Sequence, residues 1–400
     1  MTQNHPAARS ERDFRAYLPI ILLTRITTNT SFRIVYPFLS SIARGLGISL
    51  EAASGLITLR WIAGMGAPFF GPLADRHGRR RVMEVALLLF MLACLLLAGI
   101  GTFTAAAIAF ALYGLVKSLY DPAVHAYVGD TVPFHERGRA VGMVELAWSA
   151  AWLLGVPASG FLIERFGWRA PWAVLFVFGL FGIALTRTVL PPAPHPAASS
   201  DKKPLAVSTL VTWRELLSRR SVVVFLLINL LLTLANEIPL IVYGSWLETS
   251  FGLSLAKLGL ASTVVGLAEA AAELGATMVT DRLGKRRSVL AGLLGLAVSL
   301  IALPWLARLG LAAALTGVVC MMLTFEFGWV SLLPLGTELA PEARATLLSL
   351  NVTSSSIARA VGTLIGGWLW RWQRIGLHAG VGTVCALVAA FLLVWGVEDG

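Results

Sequence analysis

The stretch GPLADRHGRRR, residues 71–81, gathers five basic side chains around one carboxylate, Asp75, and lies between two long apolar runs. A closely related stretch, VTDRLGKRR, follows at residues 279–287, with Asp281 in the place of Asp75. The two aspartates are 206 positions apart, which is about half of the 400-residue chain. A charged loop that recurs at half the chain length predicts that the chain contains two copies of one unit.

The composition is that of a membrane protein. Hydrophobic residues make up 57% of the chain and charged residues 14%, and the mean hydropathy is +0.77. A soluble domain carries about a quarter charged residues. The formal net charge of +10 comes from short basic clusters between apolar runs and not from one basic face. We therefore expect membrane lipids as surroundings and no nucleic acid as a partner.

Apolar runs of about 20 residues, the length that crosses a bilayer as a helix, follow one another along the whole chain. The hydropathy pattern predicts twelve transmembrane helices, here called spans 1 to 12, over residues 16–43, 50–73, 82–101, 103–131, 138–164, 170–190, 221–247, 254–280, 288–307, 310–338, 343–370 and 376–396. Runs this long do not alternate as barrel strands must, so the predicted fold is all-α.

The longest polar break divides these spans into two sets of six. It covers residues 191–220, begins with Pro, Ala and Ser and ends with charged residues, as a linker does. The predicted organisation is an N-terminal segment, a first six-helix bundle, the linker, a second six-helix bundle and a C-terminal tail, over residues 1–15, 16–190, 191–220, 221–396 and 397–400.

The distribution of Lys and Arg predicts the orientation. With the N-terminus in the cytoplasm, the inner segments hold 20 of the 32 Lys and Arg residues and the outer loops hold 7. Basic residues are retained on the cytoplasmic side of a membrane. We therefore expect both termini and the linker to be cytoplasmic, in a multi-pass protein of the bacterial inner membrane.

Glycines repeat at nearly the same spacing as the charged loops. Gly155 and Gly160 in span 5 correspond to Gly362 and Gly367 in span 11, 207 positions later. Two features at almost one spacing indicate that the halves are duplicates of one six-span unit.

These motifs resemble those of the major facilitator superfamily. GPLADRHGRRR is similar to the signature loop that this family carries between spans 2 and 3, and VTDRLGKRR to its second copy. VPFHERGRAVG and LLGVPASGFLIERFGWRAPW, residues 132–142 and 153–172, resemble the family's region around spans 4 and 5, including part of an antiporter motif. The position of an arginine that the drug exporters of the family carry in span 4 corresponds to Gly114.

The resemblance implies two six-helix bundles related by pseudo-two-fold symmetry, with alternating access to a central cavity. It also implies that the signature loops form a cytoplasmic gate, with Asp75 docked at the start of span 11. The residues assigned to this gate are Gly71, Asp75, Arg76, Gly78, Arg79, Asp281, Arg282, Gly284 and Lys285.

Charged side chains inside the spans are the main indication of a functional site, because each is costly in hydrocarbon and usually faces a cavity. The residues predicted to line a cavity for substrate or protons are Arg25, Asn29, Arg33, Arg60, Asp121, Glu145, Glu237, Glu269, Glu273 and Glu326. Together with Lys117 and Arg359, they sum to +2 in the first half and −3 in the second. Opposite charges across the interface are suited to a site between the halves.

Several of these residues have simpler interpretations. Lys117 and Asp121 are one helical turn apart, which favours an intrahelical ion pair. Glu269 and Glu273 either pair with arginines of the other half or exchange protons. Arg33 is near enough to the outer surface for its side chain to extend there.

Two more residues have open alternatives. Glu145, seven residues into span 5, is within reach of the cytoplasmic arginines. His125, four residues after Asp121, is a further candidate for titration.

The function predicted from these residues is secondary transport. We expect an exporter of amphiphilic small molecules that is coupled to protons, needs no other cofactor and acts as a monomer. The arginines of span 1 favour a second hypothesis, an anionic, zwitterionic or lipid-like substrate. A third hypothesis is a membrane sensor that binds a ligand without moving it. The sequence has no P-loop, nucleophile elbow or catalytic metal spacing, so an enzyme is not expected.

Overall fold

The computed structural model describes residues 6–66, 78–132, 136–191, 213–341 and 343–396. Within these ranges the chain is almost entirely helical. The helices of the first half are Pro6–Arg33 with Val35–Leu46 (span 1), Leu50–Gly64 (span 2), Arg79–Leu95 with the π-turn Leu96–Ile100 (span 3), Phe103–Thr131 (span 4), Arg137–Ala150 with the π-turn Ala151–Gly155 and Val156–Phe166 (span 5), and Ala170–Val189 (span 6).

The second half repeats this order. Its helices are Arg220–Leu240 with Tyr243–Phe251 (span 7), Leu255–Leu283 (span 8), Lys285–Arg308 (span 9), Leu311–Leu339 (span 10), Arg344–Leu369 with the 3-10 turn Trp370–Trp372 (span 11), and Ile375–Gly396 (span 12). The span ends at Arg79, Thr131, Val189 and Arg220 define what we call the linker side. The ends at Leu46, Phe166, Phe251 and Leu255 define the far side.

Nine helices of the described part are long and apolar enough to cross a membrane. Spans 1, 2 and 11 do not pass this test separately. Span 1 is interrupted at Ile34, only residues 50–64 of span 2 are described as helix, and span 11 carries Asn351, Arg359 and three consecutive serines. Val35–Leu46 and Leu50–Gly64 meet the criteria of length and hydropathy when they are taken as one segment. A bend of 118° separates them, as expected for the turn between two spans. All three helices pack at the interface between the halves, where polar residues are tolerated.

The helix bounds differ from the prediction mainly near the linker side. The first helix begins at Pro6, inside the segment 1–15, and residues 213–218 form a short helix inside the predicted linker 191–220. The hydropathy pattern missed both because neither segment is apolar enough to register as part of a span.

Equivalent helices pack in equivalent ways in the two halves. Span 1 packs on spans 5 and 6, and span 7 packs on spans 11 and 12; span 2 packs on span 4, and span 8 on span 10. The halves meet where span 2 contacts span 11, span 5 contacts span 8, and the far-side parts of spans 1 and 7 contact each other. The architecture is therefore two six-helix bundles related by pseudo-two-fold symmetry, as the sequence predicted.

The repeated glycines lie where two helices pack closely together. The first glycine of each pair contacts a helix of its own half. A Cβ atom at Gly155 would be 2.0 Å from Oγ1 of Thr30 in span 1. Its counterpart Gly362 would place a Cβ 2.9 Å from Cβ of Glu237 in span 7. The first glycine of each pair therefore lets span 5 or 11 pack closely on the first span of its own half.

The second glycine of each pair lies at the contact between the halves. A Cβ at Gly160 would be 2.6 Å from the carbonyl oxygen of Leu255 in span 8, and one at Gly367 would be 2.4 Å from Oγ of Ser54 in span 2. Small residues at such positions let membrane helices approach until their backbones touch. The same repeat that indicated duplication in the sequence thus also determines how tightly the two bundles close.

Candidate functional site

Five of the predicted cavity residues, Arg33, Arg60, Glu237, Glu269 and Glu326, lie near the interface of the two bundles, and the others form contacts within the first half or beside them. Span 1 breaks at Ile34 and span 7 after Leu240, so that the breaks are at equivalent places in the two halves. Most of the predicted residues are almost completely buried: Arg25, Asn29, Arg33, Arg60, Glu237, Glu269 and Glu326. Charges that are buried this deeply in a membrane protein require partners or a functional reason.

The first cluster lies within the first half, toward the linker side. The guanidinium of Arg25 donates two hydrogen bonds to the Glu145 carboxylate, at 2.9 and 3.2 Å. Nε2 of His125 is 2.9 Å from Nη1 of Arg25 and 2.8 Å from Oε1 of Glu145. Neutral His125 can accept from Arg25 at this nitrogen, whereas a protonated Nε2 donates to Glu145. Glu145 therefore pairs with Arg25 of span 1, a partner that the sequence had not suggested for it.

A second pairing in the same half confirms a prediction. Nζ of Lys117 is 2.7 Å from Oδ2 of Asp121, one helical turn away. It also donates to Oδ1 of Asn29 at 2.5 Å and lies 3.9 Å from the ring centroid of Trp148. Gly114, one turn before Lys117, allows the backbone of span 4 to approach span 2, because a Cβ there would be 2.0 Å from the carbonyl oxygen of Arg60.

Arg33 joins the two halves. Its guanidinium donates to Oε1 of Glu269 in span 8 and lies 4.5 Å from the ring of Trp148 and 5.0 Å from that of Trp152. The expectation that Arg33 extends to the outer surface is wrong, because its side chain is only 10% exposed. The interpretation of Glu269 as a partner for an arginine of the other half is confirmed.

Two further acids, Glu273 and Glu326, lie next to this pair. Glu273 and Glu326 make no hydrogen bond or ion pair with any residue that the structure describes, although Glu326 is buried. Both are close enough to Arg33 and Glu269 for the charges to interact. The cluster therefore holds three carboxyl groups around the guanidinium of Arg33, and Arg359, which is bonded to Glu237, also lies near Glu326. An excess of negative charge at such a place is relieved when a carboxyl group takes up a proton or when a cation binds.

A third cluster connects spans 1, 2, 7 and 11. The hydroxyl of Tyr36 donates to Oε1 of Glu237 at 2.9 Å, and Nη1 of Arg359 donates to Oε2 of the same carboxylate at 3.1 Å. Arg60 lies beside this network and donates one hydrogen bond, from Nη1 to the carbonyl oxygen of Phe32 at 3.0 Å. Its guanidinium carbon is 4.3 Å from the Phe32 ring and 5.2 Å from that of Trp61.

Polar contacts on the far side also join the halves, and the sequence did not indicate them. Glu248 of span 7 accepts hydrogen bonds from Arg44, at 2.7 Å, and from Ser40. Glu51 at the start of span 2 pairs with Arg371 at the far-side end of span 11, at 2.6 Å. These partners are 204 and 320 positions apart in the chain, so no local spacing could have revealed them.

A backbone contact lies at the equivalent junction of spans 5 and 8. Oε2 of Glu164 accepts a hydrogen bond from the backbone N–H of Ala256, 2.7 Å away, in the first turn of span 8. A carboxylate is well placed there, because the first N–H groups of a helix have no partner within it. The far side is therefore closed at each of the contacts between the halves.

The repeated basic loops clamp helices of the same half together. Arg79 at the start of span 3 pairs with Asp130 at the end of span 4, at 3.2 Å, and Lys285 pairs with Glu338 at the equivalent place in the second half. Gly78 and Gly284, which precede these helices, have φ angles of 89° and 86°, a conformation that favours glycine.

The arginines that follow have equivalent roles as well. Arg80 donates to the carbonyl oxygen of Leu190 at 2.7 Å, and Arg286 donates to that of Val394 at 2.8 Å, at the ends of spans 6 and 12. A cation at the C-terminal end of a helix satisfies carbonyl groups that have no partner within it. The basic run therefore stabilises three neighbouring helix ends in each bundle.

The resemblance also predicted that the first basic loop, residues 71–81, docks at the start of span 11 in the other half. Gly71, Asp75 and Arg76 lie outside the described residues, so the interlock with span 11 stays a prediction. Asp281 and Arg282 of the second copy are exposed at the end of span 8.

Comparisons with known proteins agree with this architecture. The family model of the Major Facilitator Superfamily matches residues 21–243 and 225–399. The chain is 26% identical over 324 residues to the uncharacterized MFS-type transporter YceJ of Bacillus subtilis, covering 80% of this chain and 81% of that protein. It is 29% identical over 286 residues to a multi-drug resistance efflux pump PmrA homolog of Lactococcus lactis, covering 66% of each.

Among solved structures, the fold is similar to that of a D-xylose–proton symporter. The TM-score is 0.78 at 18% identity, and the match covers 96% of this chain and 97% of the symporter. At this level of identity the match shows the fold alone. Together with the family match over both halves, it establishes that the chain belongs to the Major Facilitator Superfamily and has a transporter fold.

Proposed function

We propose that this protein exports amphiphilic small molecules across the bacterial inner membrane by alternating access, and that protons entering the cell drive the export. It acts as a monomer, catalyses no chemical reaction and has both termini in the cytoplasm. The far side is then the outer face of the membrane, in agreement with the 20 Lys and Arg residues on inner segments against 7 on outer loops.

The observation that carries this proposal is the Arg33–Glu269 pair and its two neighbours, Glu273 and Glu326, which have no partner in the part of the chain that the structure describes. The group lies at the junction of the two bundles, against the faces of Trp148 and Trp152. Aromatic faces bind the apolar part of an amphiphile, and carboxyl groups in excess of their cations are suited to exchange protons. The similarity to a multi-drug resistance efflux pump homolog further supports export.

The hypothesis of an anionic, zwitterionic or lipid-like substrate rested on the arginines of span 1. Arg25 and Arg33 are each paired with a carboxylate, Glu145 and Glu269, so their charges are compensated. Arg60 favours this second candidate, because it donates to a backbone carbonyl oxygen and is bonded to no carboxylate of the described residues.

Flux measurements in proteoliposomes test the proposal. Vesicles containing the purified protein should accumulate ethidium, an amphiphilic cation, or N-phenyl-1-naphthylamine, a neutral amphiphile, when a pH gradient is imposed. Protein-free vesicles and vesicles treated with a protonophore serve as controls. Binding of both dyes without any protein-dependent flux would contradict the proposal and support the third hypothesis, a membrane sensor.

The far-side contacts supply a conformational prediction. The double variant Glu51→Gln and Glu248→Gln removes both far-side ion pairs and leaves the central site intact. Exposed pairs contribute about 0–1 kcal/mol each, so the population with an open far side should rise by up to about fivefold per pair. Spin-label distances between the far-side ends of spans 1 and 7 would measure this shift. The matched control is Glu338→Gln, which removes a linker-side pair within one bundle and should leave those distances unchanged.

A further inference from the structure

The strongest indication of a specific ligand is a set of buried donors that have no acceptor. Arg60 is completely buried, yet its Nε and Nη2 make no hydrogen bond with any described residue. Nε1 of Trp61, the next residue, is likewise buried and unpartnered. Leaving a buried donor without an acceptor costs about 1–3 kcal/mol, and more for a charged group. Single unpartnered donors occur elsewhere in the described residues, but here three lie on two adjacent residues, where one acceptor from outside the chain would satisfy them.

The position of these donors is consistent with a substrate site. Span 2 contacts span 11 beside Arg60, where Oγ1 of Thr58 is 2.8 Å from Oγ1 of Thr363. Arg60 and Arg359 approach the same aromatic ring, since their guanidinium carbons lie 5.2 and 5.1 Å from the centroid of Trp61. The donors therefore lie between the bundles, at a contact that must rearrange when access alternates.

The hydrogen-bonding groups of this region favour a singly charged anion. Arg60 and Arg359 lie near two carboxylates, Glu237 and Glu326, but Glu237 is already bound by Tyr36 and Arg359, and Arg60 bonds no carboxylate of the described residues. A carboxylate adds one negative charge to this group, whereas a phosphate adds about 1.5 to 2. Two adjacent N–H groups of a guanidinium also match the two oxygens of a carboxylate.

The surroundings of Arg60 are apolar and aromatic. The guanidinium lies 4.3 Å from the ring centroid of Phe32 and 5.9 Å from that of Tyr36. An apolar or aromatic body attached to the carboxylate would be in contact with these rings and with Trp61, whereas a small hydrophilic acid would leave them uncovered.

We propose that Arg60, together with Trp61 and Arg359, binds the carboxylate of an amphiphilic organic acid, and that such acids are substrates of this transporter. The proposal rests on the proposed function and specifies its substrate class. It replaces the arginines of span 1 as the basis for anion recognition, because Arg25 and Arg33 are each bonded to a carboxylate, whereas Arg60 is bonded to no carboxylate of the described residues.

Calorimetric titration of the purified protein with 1-naphthoate and with 1-naphthamide tests this site. The two probes share one ring system and differ in the carboxylate. The parent protein should bind 1-naphthoate about tenfold or more tightly than 1-naphthamide, which corresponds to about 1.4 kcal/mol. Arg60→Gln should remove this preference, and Arg60→Lys should remove most of it, because a lysine lacks the planar pair of donors. Arg308→Gln, which changes an exposed arginine at the end of span 9, is the matched control and should keep the preference.

Two outcomes would contradict the proposed site. The first is that the parent protein binds the two probes equally. The second is that the Arg60→Gln variant elutes as a folded monomer and keeps the full preference for 1-naphthoate. If Arg60→Gln does not fold, Trp61→Phe is tested in its place, because it keeps an aromatic ring and removes the indole N–H donor. The preference for 1-naphthoate over 1-naphthamide should then fall at least about twofold, and a smaller change contradicts the proposal.

The dye assay separates this inference from the proposed function. Flux of ethidium without preferential binding of 1-naphthoate overturns the carboxylate site and leaves the exporter. Preferential binding of 1-naphthoate without any driven flux supports the site and contradicts export.

Discussion

We expect that replacing both Glu273 and Glu326 by glutamine abolishes the dependence of transport on a pH gradient and leaves ligand binding measurable. Neither acid has a partner among the described residues, so the double variant removes two excess negative charges without breaking an ion pair. Glutamine keeps the size of the side chain and cannot exchange a proton. Ethidium flux into proteoliposomes at several imposed gradients, with binding measured separately, provides the test.

The sequence had suggested Glu269 and Glu273 for this role, and the structure supports a different pair for the first experiment. Glu269 is bound to Arg33, so its replacement would also disturb a contact between the halves. Glu338→Gln is the control, because that acid pairs with Lys285 on the linker side. Gradient dependence equal to that of the parent in the Glu273 and Glu326 variant would exclude both acids from proton coupling.

The second large effect is expected from Arg33→Gln. This change leaves Glu269, Glu273 and Glu326 without the guanidinium that lies among them, and Glu269 is almost completely buried. Removing one partner of a buried ion pair costs about 3–5 kcal/mol, because the other charge stays buried and uncompensated. The midpoint of thermal unfolding in detergent should fall clearly, and the variant with both Arg33→Gln and Glu269→Gln should regain part of the loss.

The matched control for this experiment is Arg44→Gln on the far side. Arg44 also pairs with a glutamate of the second half, Glu248, but its side chain is 59% exposed. Exposed pairs contribute about 0–1 kcal/mol, so this variant should unfold at nearly the temperature of the parent. A loss of stability in Arg33→Gln that is no larger than in Arg44→Gln would show that the central pair is not the main connection between the halves.

Much of this architecture could be predicted from local patterns in the chain. Hydropathy over windows of about 20 residues locates helices because a bilayer has a fixed thickness. The repeat from Asp75 to Asp281 and the glycine pairs reveal the duplication because both copies keep the same packing requirements. Charged residues inside apolar runs indicate where the site lies, because a charge buried in the membrane is costly and is usually functional. The ion pair of Lys117 with Asp121 was predictable because it lies within one helical turn.

The partners of the other charges depended on where helices cross. Arg33 and Glu269 are 236 positions apart, and Arg25 and Glu145 are 120 apart, so no spacing along the chain relates them. Two charges compensate each other only if the packing of their helices brings the side chains together. The axial position and rotation of each helix are properties of the assembled bundles.

The sequence alone therefore determined that this chain forms two equivalent membrane bundles with a charged interface. Only the tertiary structure decided which charges lack a partner there. The two arginines that stood out in span 1 are bonded to Glu145 and Glu269, whereas Arg60 in span 2, which stood out less, is bonded to no carboxylate within the described part of the chain. The physical reason is that burying a charge is costly at any position, while its compensation depends on groups that approach it through space.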